Sequence, residues 1–310
     1  MNPLLPLELE REIFETTAIF YPRHIPALLR VAKRVNLWLK PLLFRVVRFS
    51  DEAHSEALHR AMKSEPDLLR IGLKYLNLDD VQYSGWLSDE VDALLALSTS
   101  IIDIAVSHEH PTTHTYPVVP VQLQPRRFMG VIKSLLGVEP PAMSTAVFLS
   151  LTHIELNESI LNEPQTGHDD KRPAIISALL AAAPNLTHLS SPQPMASLSW
   201  PAVQNVLEAM PKLKMLVALY SAYNGRVSAS ELEEVNAGTI RDVRFMAGTF
   251  PDDGDSYLDW EQSATCAAKD YWARGEIFLE RKKRGQVAVT RYWIDDAIWA
   301  LSIALRGSLA

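Results

Sequence analysis

The chain has one cysteine in 310 residues, Cys266. A single thiol excludes an intramolecular disulfide and a cysteine-based zinc site. Flanked by Thr265 and Ala267 on an alanine-rich stretch, it reads as a small buried hydrophobe. Glycine is scarce, with 12 in the chain, and no Gly-x-Gly-x-x-Gly, Gly-x-Ser-x-Gly or Gly-Lys-Ser/Thr sequence occurs. A backbone-cradled phosphate site and a nucleophile elbow are therefore not expected, and nothing argues for an enzyme. No apolar run reaches about 18 residues, so no membrane span is expected. Positive charge is in deficit: 30 Lys and Arg stand against 37 Asp and Glu, a net −7. That balance speaks against a nucleic-acid-coating surface. Glu8, Glu10, Glu12 and Glu15 among the first apolar residues rule out a signal peptide. Cytosol or nucleus is the expected compartment. Apolar residues make up 47% and charged residues 22%, enough for a large packed core.

The first fifty residues carry the densest pattern. Leu9, Ile13 and Phe14 recur at helical spacing behind Leu5 and Pro6, and a second helix is expected to carry Leu28, Ala32, Val35 and Leu39. Val31, Val35 and Trp38 draw a further apolar line, and Pro41-Leu42-Leu43-Phe44 closes the segment. Two helices this apolar cannot satisfy every face by packing on each other. One face should meet the rest of the chain and another a separate protein.

The pattern resembles the F-box, a short helical module that docks on the Skp-type adaptor of cullin-RING ubiquitin ligases. The resemblance covers residues 4–48 and rests on Leu5, Pro6, Leu9, Ile13, Phe14, Leu28, Leu29, Val31, Lys33, Trp38 and Phe44. Pro22 and Pro26 stand where the family usually has an acidic-leucine step. The ending Leu39–Phe49 and the later Asp259-Trp260-Glu261, Trp272-Ala273-Arg274 and Arg284-Gly285 are similar to F-box-like proteins of mushroom-forming fungi. The resemblance implies adaptor docking through Leu5, Pro6, Leu9, Ile13, Phe14, Leu28, Leu29, Val31, Trp38 and Phe44, with no cofactor.

From residue 68 a phrase returns: an apolar helix, a break, then apolar-x-x-apolar-x-apolar. Strands are expected to start at Leu73, Ile101, Val118 (with Val121 and Leu123), Leu151, Leu186, Leu213 and Ile240 (with Val243 and Phe245). The steps between these starts are 28, 17, 33, 35, 27 and 27 residues, mostly near the period of a leucine-rich repeat. Intervening helices show apolar stripes: Val91, Leu94 and Leu95; Phe128, Val131, Ile132 and Leu135; Ile175, Ile176, Leu179 and Leu180; Val203, Val206, Leu207 and Met210. Helix–strand alternation with right-handed crossovers gives a parallel sheet. The expected fold is an α/β irregular leucine-rich-repeat solenoid, with the sheet on the concave face and helices outside. The turn-bonding asparagine or cysteine of regular repeats is missing, and an ordinary open α/β domain is the alternative. Expected divisions are a helical module over 1–48, the solenoid over 49–250 and a C-terminal cap over 251–310. The cap should hold Trp260, then a helix with Ala264, Ala267, Ala268, Tyr271 and Trp272, the basic run Arg281–Arg284, a short strand over 287–292 and a last helix with Ile294, Ile298 and Leu301.

Three clusters were weighed as chemistry. His108, His110 and His114 lie in a Pro-Thr loop, where convergence on a metal is not expected. Asp252, Asp253 and Asp255 lack calcium-loop spacing. The run Arg281–Arg284 suits the end of a helix, where cations favour the dipole, with nuclear import or a phosphate contact as the lesser reading. Function thus divides two ways. The resemblance implies a non-catalytic substrate receptor of an SCF-type ligase, expected to hold an unknown protein target on the concave sheet face. Alternatively the chain is a solenoid scaffold whose F-box-like helices only cap the end. Exposure of Leu5, Pro6, Leu9 and Ile13 discriminates between them.

Overall fold

The computed structural model describes residues 5–294 apart from 50–51, 79–84, 107–118, 121, 132–145, 158–159, 162–175, 178, 180–182, 194–197, 221–228, 239, 250–255 and 267–269. The chain forms two compact units. The first comprises Met1–Thr152, Ala182–Asn185 and Trp260–Ala268, and the second His153–Ala181, Leu186–Asp259 and Lys269–Ala310.

The first unit opens with α1 (Leu7–Phe20), a 3₁₀ turn over Pro22–His24, α2 (Ile25–Leu28), α3 (Lys33–Leu39) and a 3₁₀ turn over Lys40–Phe44. The expected second helix is thus broken in two: Ala32 is extended, with φ −159°, which ends α2 and restarts the chain as α3. Ala18, Ile25, Val35 and Leu39 form the small core of this module. Then follow β1 (Val46–Arg48), α4 (Glu52–Ser64), α5 (Pro66–Gly72), β2 (Tyr75–Asn77), α6 (Ser88–Leu97), β3 (Asp103–Val106), β4 (Arg127–Gly130) and α7 (Ala146–Ser150). The second unit holds β5 (His153–Leu156), β6 (His188–Gln193), α8 (Trp200–Ala209), β7 (Met215–Tyr220), α9 (Ala229–Asn236) and β8 (Phe245–Thr249). Two helices end the described chain: α10 (Ser256–Ala264) and α11 (Tyr271–Lys283).

In each unit, neighbouring strands pair in parallel and in chain order. The α/β class with a parallel sheet is therefore as expected. Register aligns Val47, Leu76, Ile104 and Phe128 in the first unit. It aligns Ile154, Leu189, Leu216 and Phe245 in the second. These residues recur at steps of 29, 28 and 24, then 35, 27 and 29, more even than the sequence phrase suggested. At four junctions one carbonyl accepts two successive amides of the next strand segment: Arg45 O from Lys74 and Tyr75, Lys74 O from Ile102 and Asp103, Ile102 O from Arg126 and Arg127, and Thr187 O from Lys214 and Met215.

Three expected elements are corrected. The first repeat is Phe44-x-x-Val47-x-Phe49, which the sequence reading gave to the tail of the helical module; β1 is already a repeat strand. The helix expected through Phe128 and Val131 is instead strand β4 at Arg127–Gly130, while Ile132 and Leu135 lie outside the described residues. Its phrase is disguised, because Pro125 and Gly130 stand where leucines would. At Gly130, φ is +149° and a Cβ would lie 2.1 Å from Val106 O, so only glycine lets this strand close on β3. Correspondingly, Leu123 is buried in a turn and not in a strand, with Val118 and Val121 outside the described residues. The eighth strand also starts later than expected: it runs over Phe245–Thr249, so Phe245 is its first residue and not its last.

The C-terminal part departs as well. Ala264 and Tyr271, expected on one helix, sit on separate helices, α10 and α11. Between them Cys266 has φ +58° and is half-buried, so it marks a turn and not a core position. Residues 287–292 form no strand; a single parallel bridge joins Ala247 and Trp293. Of the last expected helix, Ile294 is buried but not helical, and Ile298 and Leu301 lie outside the described residues, as do His108, His110, His114, Asp252, Asp253 and Asp255.

In the second unit both faces of the strands are covered. On one face, Trp200 of α8 packs on Phe245 at 5.5 Å between ring centres. On the other, Met215, Val217, Leu219 and Met246 form a core with Tyr271, Trp272, Phe278 and Leu279 of α11. Gly275 makes this approach possible: a Cβ there would lie 2.7 Å from the Met246 side chain. Within the first unit, Trp260 donates to Asp103 at 3.0 Å and packs edge-on against Tyr75.

Candidate functional site

Leu9, Ile13 and Phe20 lie within about 40° of one line along α1, while Phe14 and Ala18 lie about 140–180° around the axis from Leu9. The helix thus has two apolar faces. The inner one packs: Phe14, Leu28, Leu29 and Trp38 close around Ala18, Ile25, Val35 and Leu39. Arg34 clamps α3 to α1 with a forked pair on Glu10, its shortest bond 2.7 Å. The outer face is bare. Leu9 is 48% and Ile13 53% exposed, and Leu5, Leu7 and Phe20 are exposed with them. Pro6 is exposed too. On the α2–α3 side, Val31 is 60% and Leu37 67% exposed.

The residues singled out from sequence therefore separate into two groups. Leu5, Pro6, Leu9, Ile13 and Val31 are presented to solvent; Phe14, Leu28, Leu29 and Trp38 support them from within. Phe44, half-buried, ends the 3₁₀ turn that leads into β1. Leu7, Phe20 and Leu37 belong to the exposed apolar set but were not picked out. The i, i+4, i+7, i+11 relation of Leu9, Ile13, Thr16 and Phe20 was the available signal. The charges around the two patches differ: Glu8 and Glu12 flank Leu9 and Ile13, and Arg30 and Lys33 stand beside Val31, all exposed.

A second feature of the first unit is a cavity of about 470 Å³ walled by Ala18, Ile25, Leu42, Val46, Ala57 and Leu58. Arg23, Arg45, Arg48, His54 and Glu261 also line it. Arg45 donates to Ala264 O and lies over the Tyr75 ring at 4.7 Å. Burial, and then the charge of Arg45, lowers the pKa of Lys74.

In the second unit, the strand face beneath α11 carries polar groups that the helix satisfies. The Tyr271 hydroxyl donates to Glu155 at 2.7 Å and lies 2.9 Å from Ser190 Oγ. Asp259 accepts from Tyr271 N and pairs with buried Arg274 at 3.0 Å. His153 and His188 stack at 4.0 Å between ring centres beneath the edge of Trp272. The sequence reading left this face open for a target; in the structure Glu155, Ser190, Met215 and Val217 are buried there under the chain's own α11. The basic run also differs from a wholly solvated one: Lys282 is buried, donating to Phe245 O at 3.0 Å.

Among the described residues no group of three or more His, Cys, Asp or Glu converges as metal ligands, and no helix is long and apolar enough to cross a membrane. No protein-family model, curated protein or solved structure matches the chain.

Proposed function

We propose that the chain is a non-catalytic interaction subunit whose α1 helix docks on a Skp-type adaptor, making it a substrate receptor of an SCF-type ubiquitin ligase. The observation that carries this reading is the bare outer stripe of α1. Complete burial of a Leu or Ile side chain contributes about 1.5–3 kcal/mol, and the line of Leu9, Ile13 and Phe20 along α1, all exposed, forms the centre of a docking patch. Large apolar groups at the middle of a patch dominate binding. Leu5, Pro6, Leu9 and Ile13 are the direct anchors. Phe14, Leu28, Leu29 and Trp38 act by holding α1 in place.

That division fixes the test. Trp38 packs against the module's core, so its truncation would confound folding with docking. Leu9→Glu with Ile13→Glu changes only exposed positions. Co-expression with a Skp-type adaptor and affinity capture is expected to recover a complex with the wild type and none with the double variant, at unchanged thermal stability. Absence of any complex with the wild type overturns the reading.

A second reading, a scaffold whose leading helices close the first repeat, is favoured by one observation. The segment ending at Phe44 runs directly into β1, so module and repeats are continuous. It predicts that the adaptor is not recovered under any condition.

A further inference from the structure

Among the described residues, β1 pairs with a strand on one side only, β2. In its parallel register with β2, Val46 lies opposite Tyr75 and Arg48 opposite Asn77, and Tyr75 N bonds to Arg45 O. Parallel pairing uses alternate residues of each strand. The N–H and C=O of Val46 are therefore directed to the other edge, where no described residue hydrogen-bonds them. The cavity of about 470 Å³ opens along this edge, with Val46, Val47 and Arg48 in its wall.

The rest of the lining says what would fit. Ile19, Ile25, Leu42, Ala57 and Leu58 make the depth apolar. Arg23, Arg45 and Arg48 outnumber the one carboxylate, Glu261, which pairs with Arg48 at 3.7 Å. Arg23 is exposed at the mouth, on the turn between α1 and α2, and has no ion pair among the described residues. A volume of this size is within the range of ligand sites, about 300–1,000 Å³. A free strand edge beside apolar depth and cationic rim is the combination met in strand addition, where main-chain bonds hold a peptide and a pocket reads its side chains.

We propose that the cavity beside β1 is a peptide site, which takes an extended segment placing an aliphatic or aromatic side chain in the depth and a carboxylate at the arginines. Such a site offers a place for a protein target that does not require displacing α11 from the strand face. It does not depend on adaptor docking, and the two fail separately.

The test begins with phage-displayed random heptapeptides panned on the full chain. Enriched sequences are expected to carry Asp or Glu next to a large apolar residue. A fluorescein-labelled copy of the most enriched peptide is then titrated by anisotropy. Ala57→Trp, which fills the cavity, and Arg23→Glu, which reverses the charge at the mouth, are each expected to raise Kd at least tenfold. N-methylation of alternate peptide amides is expected to have a similar effect. Arg23 is exposed, so its variant stays informative if the tryptophan is not tolerated. The Leu9→Glu, Ile13→Glu chain is expected to bind the peptide as the wild type does, and Ala57→Trp to retain adaptor capture. Enrichment of basic peptides, no enrichment over a blank surface, uptake of laurate without any peptide, or a Kd indifferent to Arg23→Glu would each overturn the proposal.

Discussion

Helices α1 and α11 are of similar length, and each inverts the usual partition of side chains. The first leaves Leu9 and Ile13 in solvent. The second buries Arg274 and Lys282, at 8% and 2% exposure. Charged side chains are almost never buried without partners, and α11 has them: Asp259 for Arg274, the Phe245 carbonyl for Lys282. Its apolar residues meet Met215, Val217 and Met246. The outer face of α1 meets nothing described in the chain. The contrast teaches that hydrophobic pattern alone does not say whether a helix is internally satisfied; the partner on the facing element does.

The comparison can be broken most forcefully at Asp259. Asp259→Ala leaves the Arg274 guanidinium buried without its carboxylate, and loss of one member of a buried pair costs about 3–5 kcal/mol. Denaturant unfolding is expected to show that loss; a change below 1 kcal/mol would mean that α11 is not locked as described. Gly275→Leu forces new volume between α11 and the sulfur-bearing ends of Met215 and Met246. Overpacking of this kind costs about 1–3 kcal/mol, seen as a lower midpoint in the same titration.

Lys282 supplies a pH signature. Burial, opposed by the charge of Asp242, lowers its pKa to about 8. Between that value and the ordinary lysine range the unfolded chain binds more protons than the folded one. Stability therefore rises with pH over this interval, by on the order of 1–2 kcal/mol between pH 7.5 and 9.5. Lys282→Met is expected to flatten that rise in thermal melts taken across the interval. The smallest effect belongs to α1: Leu9→Glu with Ile13→Glu should change stability by about 0.5 kcal/mol or less, as exposed substitutions do. A large loss would show that the stripe is packed after all.

Strands were legible wherever leucine or isoleucine filled the repeat phrase, as at Leu73–Leu78 and Leu151–Leu156. The phrase failed at Pro125–Gly130, because proline and glycine occupy its ends and the pairing that identifies β4 lies on β3. The first repeat escaped because Phe44 and Val47 also complete an apolar helical module. The outer stripe of α1 was legible in part, since helical spacing gives the face but not what lies against it. Coverage of the second strand face had one signal, the unbroken apolar run Met215–Tyr220, which suits a strand buried on both sides. Which segment covers it could not be read, as Tyr271 and Ser190 are far apart in sequence. The cavity beside β1 depends on register and has no sequence signature.

The central claim is that the outer face of α1 is a docking surface awaiting an adaptor. Hydrogen–deuterium exchange of the full chain, with and without a purified Skp-type adaptor, tests it most directly. New protection is expected to be confined to residues 7–39, with Tyr271–Lys283 unchanged. No protection in that segment at saturating adaptor, or protection only elsewhere, would contradict it.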